Sequence, residues 1–281
     1  MPEDSNKSVL LREILVAIDT SSHSQAALEA AITLAKTMEA NLQGLFVQDE
    51  LWQKISKLPS TSTVNTLTGN VLPLESETLE DQVRLLRNRL RRKMEFMSRR
   101  NKVTYSWSSM QGKVEDKVLE ASKNADLITI GLKGKSARRK RIGSSAKTII
   151  QEADKPVLVL KEGLHIGTNL TVVYDASKES QKGIRLALKI AEKNNSSINV
   201  LVVDNNPDAL DQRNKELENL VDGTSVSVNV ELMENTDLGS FLNSINKQHS
   251  GLLIIPKSQP FLTKALETVL LHINCPLLMV N

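Results

Sequence analysis

The chain has 281 residues, 40% hydrophobic and 25% charged, the composition of a soluble globular protein and a length that admits one large domain or two ordinary ones. Its single cysteine, Cys275, excludes an internal disulfide, and no apolar run approaches the ~18 residues of a membrane span. The net charge of +3 hides an asymmetry, 26 Lys and Arg against 19 Asp and Glu in residues 1–161 and 10 against 14 in residues 162–281, which favours two docking domains and makes the first half the better candidate for an anionic ligand.

The amino terminus lacks a cationic segment followed by a long apolar stretch, so secretion is not expected and a reducing cytoplasm is. Aromatics are scarce at 3%, leaving a core of Leu, Ile, Val and Ala. In chain order, Ile14–Ile18 reads as a buried strand ending at Asp19. The segment Gln25–Met38 follows as a helix with Ala27, Ala31, Leu34 and Ala35 on one face and Ser22 or Ser24 as N-cap. Leu45–Val47 is a second strand. Residues 51–74 have no periodicity and read as a mobile loop with a turn of helix near Trp52.

A long helix is expected next. Leu79, Val83, Leu86, Leu90, Met94 and Met97 form its apolar stripe and leave Arg84, Arg87, Arg91, Arg92, Arg99 and Arg100 outside it. That basic face reads first as a solvated surface. No aromatics interleave it for base stacking, which argues against nucleic acid. Strands at 127–130 and 157–160 complete the first half, and Cys275 reads as a small buried hydrophobe near the other end of the chain. The four histidines are dispersed without ligand spacing, so no structural metal is expected.

The sequence then repeats itself. At a shift of 156, Ile14–Asp19 falls on Leu170–Asp175; at 125, Leu127–Ile130 falls on Leu252–Ile255; at 120, Pro156–Val159 falls on Pro276–Met279. Duplication with shorter loops in the second copy follows. Each copy alternates continuous apolar strands with helices, the mark of right-handed βαβ units. The expected fold is therefore α/β, with two tandem doubly wound domains, residues 1–161 and 168–281, each built on a parallel five-stranded sheet. The boundary is placed at Lys161–Thr168. One continuous sheet, or unlike topologies in the halves, would contradict this reading.

The segment most informative about function is Gly131-Leu-Lys-Gly134, the basic stretch 135–142 and Gly143-Ser144-Ser145. Glycines permit positive φ and close approach of a ligand, while a helix N-terminus attracts phosphate. The pattern is not a P-loop, because no glycine precedes Lys147 at the required spacing.

These residues, with Asp19 and the closing Lys155-Pro-Val-Leu-Val159, resemble the universal stress proteins that bind ATP, and the resemblance runs through both copies. It implies an adenine-nucleotide-hydrolase-like, Rossmann-like fold. It also implies a site in which Ala17 and Asp19 line the adenine and ribose end, Val47 contacts the nucleoside, and Gly131, Gly134, Gly143, Ser144 and Ser145 hold the phosphates. The interval 135–142 has eight residues where the family pattern has nine. Either the loop closes more tightly on a polyphosphate with help from Arg138, Arg139, Lys140 and Arg141, or it is only a solvated surface loop.

In the second copy Asp175 remains, but Pro256-Lys-Ser-Gln259 replaces the two glycines and Thr263-Lys264 replaces Gly-Ser. No nucleotide is expected there. Single-domain members of the family pair through their last strands, so Val157–Leu160 and Leu277–Val280 are expected to meet as an intrachain pseudo-dimer, with a homodimer of whole chains left open. Three functional readings stand. The first is a stress-response or signalling protein that binds ATP with Mg²⁺ and reports to a protein partner. The second is a weak ATP-hydrolysing or nucleotidyl-transferring enzyme, though no catalytic set is evident from spacing. The third is an interaction module with both pockets dead.

Overall fold

A computed structural model gives the fold and describes residues 11–50, 62–64, 71–73, 76–134, 141–204, 206–234, 237–248 and 250–281, those at 62–64, 71–73, 76–79 and 260–264 by backbone alone. The first half runs β1 (Glu13–Ala17), α1 (Ser22–Met38), β2 (Asn41–Asp49), β3 (Ser62–Val64), β4 (Val71–Pro73), α2 (Ser76–Arg100), β5 (Tyr105–Gly112), α3 (Val114–Ser122), β6 (Leu127–Gly131), α4 (Ser144–Glu152) and β7 (Val157–Leu160). The second runs β8 (Leu170–Tyr174), α5 (Lys178–Asn194), β9 (Ile198–Asp204), α6 (Pro207–Val221), β10 (Val228–Glu234), α7 (Leu238–Lys247), β11 (Leu252–Pro256), α8 (Pro260–His272) and β12 (Leu277–Val280).

Both halves have one topology. Strand order is β7-β6-β1-β2-β5 in the first and β12-β11-β8-β9-β10 in the second, parallel throughout each. The halves do not keep separate sheets as expected. Val157, Leu158 and Val159 pair antiparallel with Met279, Leu278 and Leu277, and this edge-to-edge contact of the last strands fuses the halves into one ten-stranded sheet. Pairing removes two apolar edges that would otherwise invite association with other chains.

Helices cover both faces, so the strands are apolar on both sides. One core lies under α1, α2, α5 and α6, with Ile14, Leu34, Met94, Val172, Ile190 and Leu217 among its buried members. The other lies under α3, α4, α7 and α8, with Leu15, Val118, Ile150, Val173, Phe241 and Val269. Each such Leu, Ile or Val contributes about 1.5–3 kcal/mol relative to exposure.

Local chemistry explains the first connection better than the sequence reading did. The N-cap of α1 is Ser21, whose hydroxyl accepts the Ser24 N–H at 3.1 Å, rather than Ser22 or Ser24. Within 51–74, read as an irregular loop, Ser62–Val64 and Val71–Pro73 form a short antiparallel pair. Strands of three residues are too brief to show period-two alternation. The expected turn near Trp52 lies outside the described residues.

The halves cap each other's helices. After β7, Lys161 Nζ donates to Leu271 O at 2.9 Å and to Ile273 O at the end of α8. After β12, Asn281 Nδ2 donates to Ala153 O at 2.5 Å and Lys155 O at 2.9 Å beyond α4, and Lys257 Nζ joins it on Ala153 O at 3.0 Å. Carbonyls left over at helix C-termini are thereby satisfied across the junction. Burial lowers the Lys161 amine to about 8 and raises the neighbouring Cys275 thiol to about 12, so Cys275 sits as a neutral packed side chain.

Candidate functional site

The sequence order of strands reverses between β6 and β1, which opens a crevice at their carboxyl ends, the place where open α/β sheets take ligands. Two connections meet there, Ile18–Ser21 after β1 and Leu132–Gly143 after β6.

Asp19 organises the first. Its Oδ1 accepts the Ser21 N–H at 2.8 Å and the Ser21 hydroxyl at 2.6 Å, and its own N–H donates to Ser24 Oγ at 2.8 Å. The other oxygen, Oδ2, lies 3.3 Å from the point a Cβ on Gly134 would occupy. The β1 connection and the β6 connection therefore face each other across a carboxylate oxygen and a glycine. Ala17 and Val47 are half-buried at the end of β1 and on β2, against the same apolar layer.

The glycines divide by role. A Cβ on Gly131 would stand 2.7 Å from both His23 C and Ser24 N, so its bare backbone is required by contact with the first turn of α1. A Cβ on Gly143 would meet nothing closer than 3.5 Å. Gly143 has φ −66° and ψ 140°, and neither it, Gly131 nor Gly134 adopts positive φ. The expected left-handed turns are absent at these positions, which serve close approach instead. The Gly143 N–H donates to Leu132 O at 3.0 Å, which commits it within the protein. Helix α4 then begins at Ser144 and Ser145 with no side-chain cap among the described residues, which leaves its first N–H groups without helical partners. Arg138, Arg139 and Lys140 lie outside the described residues, and Arg141 is exposed.

His23 was not singled out by sequence. It touches Gly131 through its backbone, and its Nδ1 accepts the Glu162 N–H at 3.1 Å. Burial, then the charge of Lys133, lowers its pKa below the usual histidine value, so the ring is a neutral acceptor tying the site to the segment between the halves.

The second half shows the same frame filled in. Asp175 Oδ1 accepts the Ser177 N–H at 3.0 Å and hydroxyl at 2.5 Å, as Asp19 does with Ser21. Its Oδ2 is taken by Gln259 Nε2 at 2.5 Å, and Gln259, only 4% exposed, stands at the position of Gly134. Val173 and Val203, the counterparts of Ala17 and Val47, are 0% and 5% exposed. Helix α8 starts at Pro260, directly after Gln259, so no loop corresponds to 135–142; Thr263 and Lys264 fall inside the helix ahead of a kink at Ala265. Among the described residues no group of three His, Cys, Asp or Glu side chains could hold a metal ion by itself.

Fold and crevice together define a tandem α/β protein with a glycine facing the crevice aspartate in one half and a glutamine bonded to it in the other. The universal stress protein family model matches residues 11–161, more than half of the chain. The chain belongs to the universal stress protein family. It superposes on a universal stress protein from Archaeoglobus fulgidus with TM-score 0.73 and 15% identity, over 97% of this chain and 98% of that one. A functionally unknown protein from Pseudomonas aeruginosa gives 0.60 at 14% identity, over 98% and 94%. The cytoplasmic domain of a prokaryotic cation chloride cotransporter gives 0.53 at 13%, over 96% and 95%. At such identities these structures bear on the fold alone. None of the curated proteins is a significant match to the chain. Among the described residues no helix is long and apolar enough to cross a membrane.

Proposed function

We propose that the protein is a non-enzymatic stress-response or signalling protein of the cytoplasm that binds one adenine nucleotide, ATP in first place, in its N-terminal half. In this reading the C-terminal half is a permanent partner that covers the first. The observation that carries it is the contrast at one position, since Asp19 Oδ2 faces the bare Cα of Gly134 while Asp175 Oδ2 is closed off by Gln259. Ala17, Asp19 and Val47 would hold the nucleoside. The N–H groups of Ser144 and Ser145 at the start of α4 would hold phosphates, Gly134 would allow their approach, and Gly131 keeps the β6 connection against α1. Mg²⁺ would arrive with the phosphates and offset their charge. The cytoplasmic assignment rests on the lone buried thiol.

Calorimetric titration with Mg·ATP tests the reading, together with Gly143→Val and Arg139→Ala. A Cβ at Gly143 meets no atom closer than 3.5 Å. We expect Gly143→Val to lose binding by crowding the phosphate approach, and Arg139→Ala to weaken it about two- to threefold as a screened charge. The reverse order would move the site to the basic loop. No heat from wild type at millimolar ATP would reject the pocket, and sustained turnover of Mg·ATP would make the protein an enzyme.

A further inference from the structure

Two exposed apolar ledges of opposite charge lie at opposite ends of the sheet, on the same face. On α2, Leu85 is 67% and Phe96 65% exposed. With Arg89 and Arg92 they follow the spacing i, i+4, i+7, i+11, one continuous stripe on the side away from buried Leu90 and Met94. The helix carries eight Lys and Arg against four Asp and Glu. Two of its arginines are paired within the helix, Arg84 with Asp81 and Arg99 with Glu95, whereas Arg89, Arg92 and Arg100 make no ion pair among the described residues.

The second ledge results from a shortened helix. Trp107 on β5, which pairs with Gly44, is half-buried under the 25-residue α2; its counterpart Val230, which pairs with Val200, lies beside the 15-residue α6. Val230 and Leu232 are therefore 44% and 47% exposed, on a free edge strand. The neighbouring α6 carries Asp208, Asp211, Glu216 and Glu218 against Lys215 and Arg213, the latter paired with Asp204. Glu234 is also exposed, on the same face of β10.

We propose that these ledges are the two sides of one self-association contact, in which the Leu85-Arg89-Arg92-Phe96 stripe of one copy covers Val230 and Leu232 of a second copy. Like ledges repel, basic against basic and acidic against acidic, while unlike ledges combine two apolar patches with opposite charge. The contact is heterologous: different surfaces meet.

Sedimentation of wild type across protein concentration at roughly 0.05 M and about 1 M salt reads it, because the Debye length falls to about 3 Å at the higher value. Association at low salt that weakens at high salt is expected. Phe96→Glu and Leu232→Lys alter exposed side chains and should leave the melting temperature unchanged. Each alone should lower association at least about tenfold, and an equimolar mixture should recover 1:1 complexes, because each variant retains the ledge the other lacks. A wild type that stays monomeric at low salt, or a mixture that fails to pair, would overturn the proposal. So would co-sedimentation of wild type with phosphatidylserine vesicles without self-association, which would assign the stripe to a lipid surface.

Discussion

Asp19 and Asp175 follow the first strand of each half and take the same two bonds from a serine, and their second oxygens meet different partners. Across from Asp19 the chain supplies a glycine and an eight-residue interval before the next helix; across from Asp175 it supplies a glutamine and starts the helix at once. The proposed binding site and its packed counterpart are therefore one side chain and one loop apart. The filled half also replaces Ala17 by Val173 and buries Val203 where Val47 is half-open. The half with the glutamine is also the more tightly packed at these positions.

The largest effect is expected where the halves stop being separate. Val159 is 3% exposed and opposes Leu277 in the junction. Val159→Asp would bury an unpaired carboxylate, at a cost of about 4 kcal/mol or more. Calorimetry should show the melting temperature falling by about 10 °C, or one transition splitting into two. An unchanged single transition would mean that the junction does not unite the halves.

A smaller effect separates Lys161 from Asn281, which fill equivalent positions and make equivalent caps, yet only the first can titrate. The folded Lys161 titrates near 8 against an ordinary 10.5. Below pH 8 both folded and unfolded chains are protonated, and the fold bears the cost of a partly buried ammonium. Between 8 and 10.5 the unfolded chain binds the extra proton, so stability from this group rises with pH. Wild type should gain about 2 kcal/mol at most over Lys161→Asn across that interval, partial exposure limiting the figure. Chemical denaturation at pH 7.5 and 10 measures it, and a parallel pH response in the two proteins would show that Lys161 does not titrate there.

Much of this comparison was legible in the sequence. The shifts of 156, 125 and 120 aligned the halves, and the continuous apolar runs identified strands covered on both sides. The pairing of Val157–Leu160 with Leu277–Val280 followed from the family resemblance. Other features depended on where side chains end. Gln259 was visible as a replacement for Gly134; that its amide reaches Asp175 is a tertiary contact spanning 84 residues. Lys161 and Asn281 were related by the shift of 120, yet nothing local says that each caps a helix of the other half. Gly131 looked like a ligand glycine, and only the approach of His23 and Ser24 shows that packing already requires it.

The most direct test moves the filled half's side chain into the open half. Gly134→Gln places an amide beside Asp19 Oδ2, in space that Gln259 occupies beside Asp175, and the backbone there needs no positive φ. Calorimetric titration with Mg·ATP should give one site per chain for wild type. For Gly134→Gln it should give at least a 100-fold weaker affinity, about 2.7 kcal/mol, with melting temperature preserved. Two sites in wild type, or unaltered affinity in a folded Gly134→Gln protein, would contradict the assignment of an open first half and a filled second.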